Sequence, residues 1–148
     1  MNLQEILRRK GSQVHSISPD ATLDDVVQKL VDCNCGSLVV SEQPSDGRGR
    51  SRLIGIVTER DILRACASRR GSLDQIKVRD AMSQDLITGS PNDSIEDTMG
   101  LMTERRIRHL PILVDDQLAG LISIGDVVKA HHDEVAMENH YLKSYIQS

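Results

Sequence analysis

The segment LIGIVTERDILRAC, residues 53–66, decides the fold because it passes from an apolar strand pattern directly into a capped helix. At that boundary Thr58 and Asp61 stand three residues apart, and a Ser/Thr-x-x-acid pattern is a helix-capping signature. The same pattern recurs as LAGLISIGDVVKAH, residues 118–131, with Ser and Asp at the two corresponding positions. The chain therefore carries one strand-to-helix unit twice.

The segments upstream of these two units repeat as well. VHSISPDATLDDVVQKLVDCNCGSLVV, residues 14–40, matches LITGSPNDSIEDTMGLMTERRIRHLPI, residues 86–112. Each copy has a short extended segment, Ser-Pro, a capping box that begins at Thr22 or Ser94, an amphipathic helix and an apolar strand. The first copy is longer by seven residues, which fall in the Ser/Gly/Arg-rich stretch 41–52 and indicate an enlarged loop. The predicted order is β-α-β-β-α, twice.

The repeat predicts an α+β fold of two tandem β-α-β-β-α units packed about a pseudo-twofold axis, plus a C-terminal helix. We expect the first unit, with the N-terminal segment, to occupy residues 1–71. The linker and second unit occupy residues 72–132, and a helical tail occupies residues 133–148.

Composition narrows the possible functions. A net charge of −4 and an aromatic content of 1% disfavour binding to a nucleic-acid backbone or stacking on bases. No run approaches the ~20 apolar residues of a membrane span. Three cysteines, an odd number, suit reduced thiols in the cytoplasm. Cys33-Asn34-Cys35 has no second Cys/His pair at a zinc spacing, so the sequence predicts no metal site.

The repeated motifs, in order and in register, resemble a cystathionine β-synthase (CBS) domain pair, also called a Bateman module, from about Val14 to about Ala130. They are SPDATL and SPNDSI before the first helices, GSLVV and RHLPIL in the middle strands, and GIVTERD and GLISIGD at the last helices. The resemblance implies a stand-alone regulatory module that is not an enzyme. It implies adenine nucleotides (AMP, ADP or ATP) or adenosyl compounds as ligands in two clefts between the repeats. It also implies a homodimer formed by helix packing.

The resemblance also implies which residues bind the ligand, because in the family each cleft combines the Thr/Ser-x-x-Asp of one repeat with strands of the other. A helix start presents free N–H groups to a phosphate, and the Asp accepts hydrogen bonds from the ribose hydroxyls. The first predicted site consists of Thr58, Arg60, Asp61, Ser83, Ile87, Ile107, Arg108, His109 and Pro111. The second predicted site consists of His15, Ile17, Cys35, Gly36, Ser123 and Asp126.

The two predicted sites are not equivalent. Arg108 and His109 would neutralise phosphate in the first, where Ile87 and Ile107 flank the base. Gly36 offers only backbone at the position of Arg108, so the first site is predicted to be the principal one. On local sequence alone, the interpretation of both Thr/Ser-x-x-Asp pairs as nothing more than helix caps is favoured, and the resemblance to the family favours a ligand site instead.

Three functions remain in competition at this point. The leading hypothesis is a nucleotide sensor whose ligand favours one of two arrangements of the repeats or chains. The second is an interaction scaffold with vestigial clefts, which would bind an unknown protein partner through the C-terminal helix and residues 41–52. The third and weakest is nucleic-acid binding through Arg48–Arg52 and Arg105–Arg108. No nucleophile elbow, P-loop or metal-ligand set indicates an enzyme.

Overall fold

A computed structural model describes residues 1–11, 13–43, 51–68 and 71–147 of the chain. Most of the predicted 41–52 loop, including Arg48 and Arg50, lies outside these residues. The elements, in chain order, are α1 (Leu3–Lys10), β1 (Ser16–Ile17), α2 (Leu23–Cys33), β2 (Ser37–Glu42), β3 (Arg52–Thr58), α3 (Glu59–Ser68), α4 (Val78–Ala81), α5 (Ile95–Arg105), β4 (His109–Val114), β5 (Gln117–Ser123) and α6 (Ile124–Gln147).

Contacts divide the chain into two compact units. Residues Gln13–Leu86 form one, called here the 13–86 unit. Residues Ile87–Ser148, together with Met1–Ser12, form the other, called here the 87–148 unit.

The 13–86 unit contains a three-stranded sheet in the order β1-β2-β3, in which β1 is parallel and β3 antiparallel to β2. Helix α2 begins at the predicted capping box: Thr22 Oγ1 accepts from the Asp25 N–H at 3.2 Å, and Asp25 Oδ2 accepts from the Thr22 N–H at 3.0 Å. The apolar face of α2 packs on β2 and β3. The buried members of this core are Leu23, Val26, Leu30, Leu38, Val40, Val57 and Val78.

The 87–148 unit contains the antiparallel pair β4–β5, joined by a tight turn at Asp115 and Asp116, which both have positive φ. This turn confirms the hairpin that the sequence indicates. Helix α5 begins at Ser94, whose hydroxyl accepts from the Asp97 N–H at 3.0 Å, as predicted. The extended segment expected near Leu86 does not form a strand. A single parallel bridge between Gly89 and Ile112 stands in its place.

Helix α1 packs into the core of the 87–148 unit. Leu3, Ile6 and Leu7 are buried there, and the Leu3 N–H donates to the Asp93 carbonyl at 3.0 Å. Gly120 of β5 leaves room for this helix, since a Cβ at Gly120 would lie 2.5 Å from Leu7 Cδ2. Adjacency in the chain predicts that the N-terminal segment belongs with the first repeat. The structure instead packs its helix against the second repeat.

Helix α6 continues without a break from the second repeat to Gln147. Its first two turns bury Val127 and Ala130, whereas Tyr141 and Leu142 further along are exposed. The predicted tail is therefore an extension of the last repeat helix. The mixed α+β class, with small sheets and a long C-terminal helix, confirms the predicted fold class.

Candidate functional site

The Thr58–Asp61 pair lies where β3 ends and α3 begins. Asp61 Oδ2 accepts from the Thr58 N–H at 2.8 Å and from Thr58 Oγ1 at 3.2 Å. Asp61 is buried, with 8% of its surface exposed, which is rare for a carboxylate unless it is hydrogen-bonded. The backbone at this point is held by the neighbouring strand, because the Glu59 N–H donates to the Gly36 carbonyl at 3.1 Å. The carboxylate is thus fixed at a helix N-terminus, at the positive end of the helix dipole.

A cavity of about 370 Å³ opens beside Asp61 within the 13–86 unit, a volume in the range of small-molecule pockets. Its lining residues are Asp61, Arg64, Ala65, Ser68, Ile76, Asp80, Ala81, Met82 and Ser83. The structure therefore brings the two predicted residues Asp61 and Ser83 to one cavity. A bridge to β3 positions Ser83: its N–H donates to the Ile56 carbonyl at 2.9 Å, and its carbonyl accepts from the Ile56 N–H at 3.1 Å.

Two charged residues on the wall of this cavity were not predicted. Arg64 follows Asp61 by three residues on α3, so helical spacing places the two residues on one face. This spacing is a signal in the sequence from which Arg64 could have been predicted. Asp80 lies on the short helix α4, and no local pattern in the sequence connects it with Asp61. The predicted Arg60, in contrast, is exposed at the start of α3 and is not among the cavity residues.

The Ser123–Asp126 pair repeats the same geometry in the 87–148 unit, with one addition. Asp126 Oδ2 accepts from the Ser123 N–H at 2.9 Å, and Ser123 Oγ accepts from the Asp126 N–H at 3.1 Å. Lys10, the last residue of α1, donates to the same carboxylate oxygen at 2.6 Å and to the Leu121 carbonyl at 3.0 Å. The sequence analysis did not assign Lys10 to a site, because 116 residues separate it from Asp126.

The Lys10 contact sets the charge state of Asp126. Burial alone would raise the pKa of this carboxyl group. The hydrogen bond from Lys10, the Ser123 N–H and the Lys10 charge outweigh burial, and together they lower the pKa below its ordinary value. Asp126 is therefore ionised and already paired with a cation at neutral pH, with 28% of its side chain exposed.

The described residues contain no group of three or more His, Cys, Asp or Glu side chains that could hold a metal ion. Among the same residues, no helix combines the length and apolar character needed to cross a membrane.

The family model for the CBS domain matches residues 4–68 and 78–133. The chain belongs to the CBS domain family. It carries a CBS domain pair, a class of regulatory ligand-binding module, as the repeat motifs predicted.

Known proteins resemble this CBS pair over most of its length. The CBS domain-containing protein CBSX3, mitochondrial, of Arabidopsis thaliana is 36% identical over 151 residues, which cover 98% of this chain and 71% of that protein. The crystal structure of the CBS-domain protein ATU1752 from Agrobacterium tumefaciens superimposes with a TM-score of 0.78 at 34% identity, and the match covers 88% of this chain and 99% of that one.

A second solved structure shares the fold alone. It is the CBS domain pair of protein MJ0100, crystallised with methylthioadenosine and S-adenosyl-L-methionine. Its TM-score is 0.74 at 17% identity, and the match covers 90% of this chain and 98% of that one.

Each of the two predicted ligand sets of the CBS pair draws residues from both units. Thr58, Arg60, Asp61 and Ser83 of the first set belong to the 13–86 unit, and its other members belong to the 87–148 unit. The remaining members of the first set are Ile87, Ile107, Arg108, His109 and Pro111.

The second set is divided in the same way. His15, Ile17, Cys35 and Gly36 belong to the 13–86 unit, whereas Ser123 and Asp126 belong to the 87–148 unit. The assignment of residues from different units to one ligand site therefore stays a prediction.

Within the 87–148 unit, the backbone of one predicted residue, Arg108, contacts the start of α6. The Arg108 carbonyl accepts from the Ile124 N–H at 2.8 Å, so the backbone of Arg108 lies beside the helix that carries Asp126. The side chain of Arg108 is exposed, whereas Pro111 is buried within β4.

Proposed function

We propose that this CBS pair is a non-enzymatic sensor of adenine nucleotides (AMP, ADP or ATP) or related adenosyl compounds, with its principal site at Thr58 and Asp61. The observation that carries this proposal is a buried carboxylate at a helix N-terminus, facing a cavity of about 370 Å³. An ionised carboxylate accepts strong hydrogen bonds from the two hydroxyls of a ribose. The MJ0100 pair, which shares the fold, binds adenosyl compounds of the class proposed here.

The cavity wall carries two carboxylates, Asp61 and Asp80, against one guanidinium group, so the phosphate of the proposed ligand is expected beside the guanidinium. The start of α3 contributes the positive end of the helix dipole, while the N–H groups of Thr58, Glu59 and Asp61 donate within the protein. Arg64 on the cavity wall adds a guanidinium group, which pairs well with phosphate oxygens. Ile87, Ile107, Arg108, His109 and Pro111 complete the proposed site from the second repeat.

We propose a second, weaker site at Ser123 and Asp126, together with His15, Ile17, Cys35 and Gly36. The Asp126 carboxylate is already paired with Lys10, so a ribose would have to share it with an ammonium group. This competition supports the ranking of the two sites that the sequence suggested.

Exposed aliphatic side chains support a homodimer formed by helix packing. Val31 on α2 and Leu63 on α3 are 70% and 69% exposed. We propose that both side chains lie in a contact with a second copy of the chain, where burial of their apolar surface would stabilise the dimer. The free thiols of Cys33, Cys35 and Cys66 fit the cytoplasmic location proposed for the protein.

Isothermal titration calorimetry with AMP, ADP, ATP and S-adenosylmethionine tests the principal site. We expect Asp61→Asn to weaken binding at least about tenfold, since one charge-assisted hydrogen bond is worth about 1.5–3 kcal/mol. Asp25→Asn is the matched control, because Asp25 makes the same cap contact with Thr22 and belongs to no predicted site. It should leave affinity unchanged.

Two results would contradict the proposal. Equal affinity in wild type and Asp61→Asn removes the assignment of Asp61. If none of the four compounds binds below millimolar concentration, while a protein partner is still captured, the scaffold hypothesis is favoured instead.

A further inference from the structure

Two thiols and an imidazole converge at the end of α2 in the 13–86 unit. Cys33, the last residue of the helix, has its Sγ atom 3.4 Å from Nδ1 of His15. Cys35 follows two residues later, and the neighbouring Cys33 is one of the groups that raise the pKa of its thiol. All three side chains are partly buried. This cluster, called here the dithiol cluster, consists of His15, Cys33 and Cys35.

The backbone holds the dithiol cluster in place. Asn34 adopts the left-handed conformation, with φ of 51°, and so turns the chain sharply between the two cysteines. The Cys35 N–H donates to the Leu30 carbonyl at 3.1 Å, which closes the C-terminal turn of the helix. On the other side, the His15 carbonyl accepts from the Val39 N–H at 3.1 Å and ties His15 to β2. The cluster therefore lies on fixed backbone rather than on a loose segment.

The two cysteines have different surroundings. Burial, and the neighbouring Cys33, raise the pKa of the Cys35 thiol. Cys33 has an imidazole in contact that can accept its proton. Because the thiolate is the nucleophile, this arrangement favours Cys33 as the attacking thiol and leaves Cys35 protonated until a second step. Cys66, on α3, is exposed and belongs to no such cluster.

We propose that Cys33 and Cys35 form a reversible disulfide in response to hydrogen peroxide, with His15 as the base. The His15 imidazole takes the proton of the Cys33 thiol, and the thiolate attacks one peroxide oxygen. A sulfenic acid forms on Cys33, and the other oxygen leaves as water. The Cys35 thiol then attacks the Cys33 sulfur, so that the S–S bond forms and a second water leaves. Two thiols and one peroxide thus give one disulfide and two waters, and a thiol reductant reverses the change.

Mass spectrometry of the full chain after treatment with one equivalent of peroxide tests this proposal. We expect the intact mass to fall by about 2 Da, with Cys33 and Cys35 in one cross-linked peptide, and a thiol reductant to restore the original mass. Cys66 should remain available to an alkylating reagent. Cys35→Ser should stop at the sulfenic acid, a gain of about 16 Da that is trapped by dimedone.

Two further variants test the separate roles of Cys33 as the nucleophile and His15 as the base. Cys33→Ser should abolish the fast reaction, and His15→Gln should slow it at least about tenfold, since a positioned base contributes 10²–10⁴-fold in rate. Circular dichroism confirms that each variant is folded. Unchanged kinetics in Cys33→Ser overturn the proposal, as does preferential oxidation of Cys66, or a wild-type protein that gains oxygen without forming the cross-link. None of these readouts depends on a nucleotide.

Discussion

Replacing Gly55 by alanine tests the packing that holds the edge of the cavity in place. A Cβ at Gly55 would lie 2.7 Å from Met82 Sδ and 2.9 Å from the Ser83 carbonyl oxygen. Real Cβ contacts are essentially never this short. Met82 can rotate, but the Ser83 carbonyl belongs to the backbone and accepts from the Ile56 N–H, so it cannot turn away. The added methyl group therefore has to push the 82–83 segment off β3.

The size of the effect follows from two opposing terms. Overpacking of a well-packed site costs about 1–3 kcal/mol. The alanine also lowers the conformational entropy of the unfolded chain, which raises the free energy of unfolding by about 0.4–1 kcal/mol. The difference spans about 0–2.6 kcal/mol, and we expect a net loss near its middle, about 1–2 kcal/mol, in the free energy of unfolding. A domain of this size then loses roughly 2–8 °C in Tm.

Gly100→Ala is the matched control. Gly100 lies inside α5, and a Cβ there meets no heavy atom of the described residues within 4 Å. Alanine in a helix interior is favoured over glycine by about 0.5–1 kcal/mol, so this variant should gain stability.

Urea unfolding followed by circular dichroism, with Tm measured on the same samples, compares the two variants. Gly55→Ala should also bind nucleotide more weakly than Gly100→Ala, because Met82 and Ser83 line the cavity beside Asp61. The reasoning is refuted if Gly55→Ala is as stable as wild type while Gly100→Ala shows its expected gain. The close approach between β3 and the 82–83 segment would then be absent.

Two further predictions concern an ion pair and a helix surface. Lys10→Met should cost about 0.5–1 kcal/mol at pH 7, the value of a partly exposed ion pair, and should raise the pKa of Asp126. Because the folded-state pKa of Asp126 is lowered, its stabilisation is present above the ordinary value of 3.8 and is lost as pH falls through the folded pKa. Urea midpoints of variant and wild type should therefore converge below that pH, and a gap of constant size would contradict the assignment. Leu63→Asp should convert the proposed homodimer into a monomer in light scattering, whereas Leu142→Asp on α6 should not. A monomeric wild type, or dissociation by Leu142→Asp alone, would remove α3 from the interface.

The elements that the sequence predicted correctly depend on contacts between residues close in the chain. The capping box at Thr22 and the side-chain cap at Ser94 close over three residues, and the Asp115–Asp116 turn joins adjacent strands. Such patterns are readable because the same local geometry forms wherever the pattern occurs. Their repetition in register then identified the family. The short strand expected near Leu86 does not form, because the presence of a pairing partner, and not local propensity, decides whether an extended segment becomes a strand.

The sequence by itself determined the duplicated α+β unit and the two Thr/Ser-x-x-Asp helix starts. Only the tertiary structure decided that α1 packs against the second repeat and that Lys10 pairs with Asp126. It alone brought Asp80 to the cavity beside Asp61 and His15 to Cys33. The physical reason is that hydrophobic burial and Coulomb attraction are satisfied by any surface of suitable shape and charge. The sequence of an amphipathic helix, or the identity of a charged residue, therefore does not specify which distant residue it will contact.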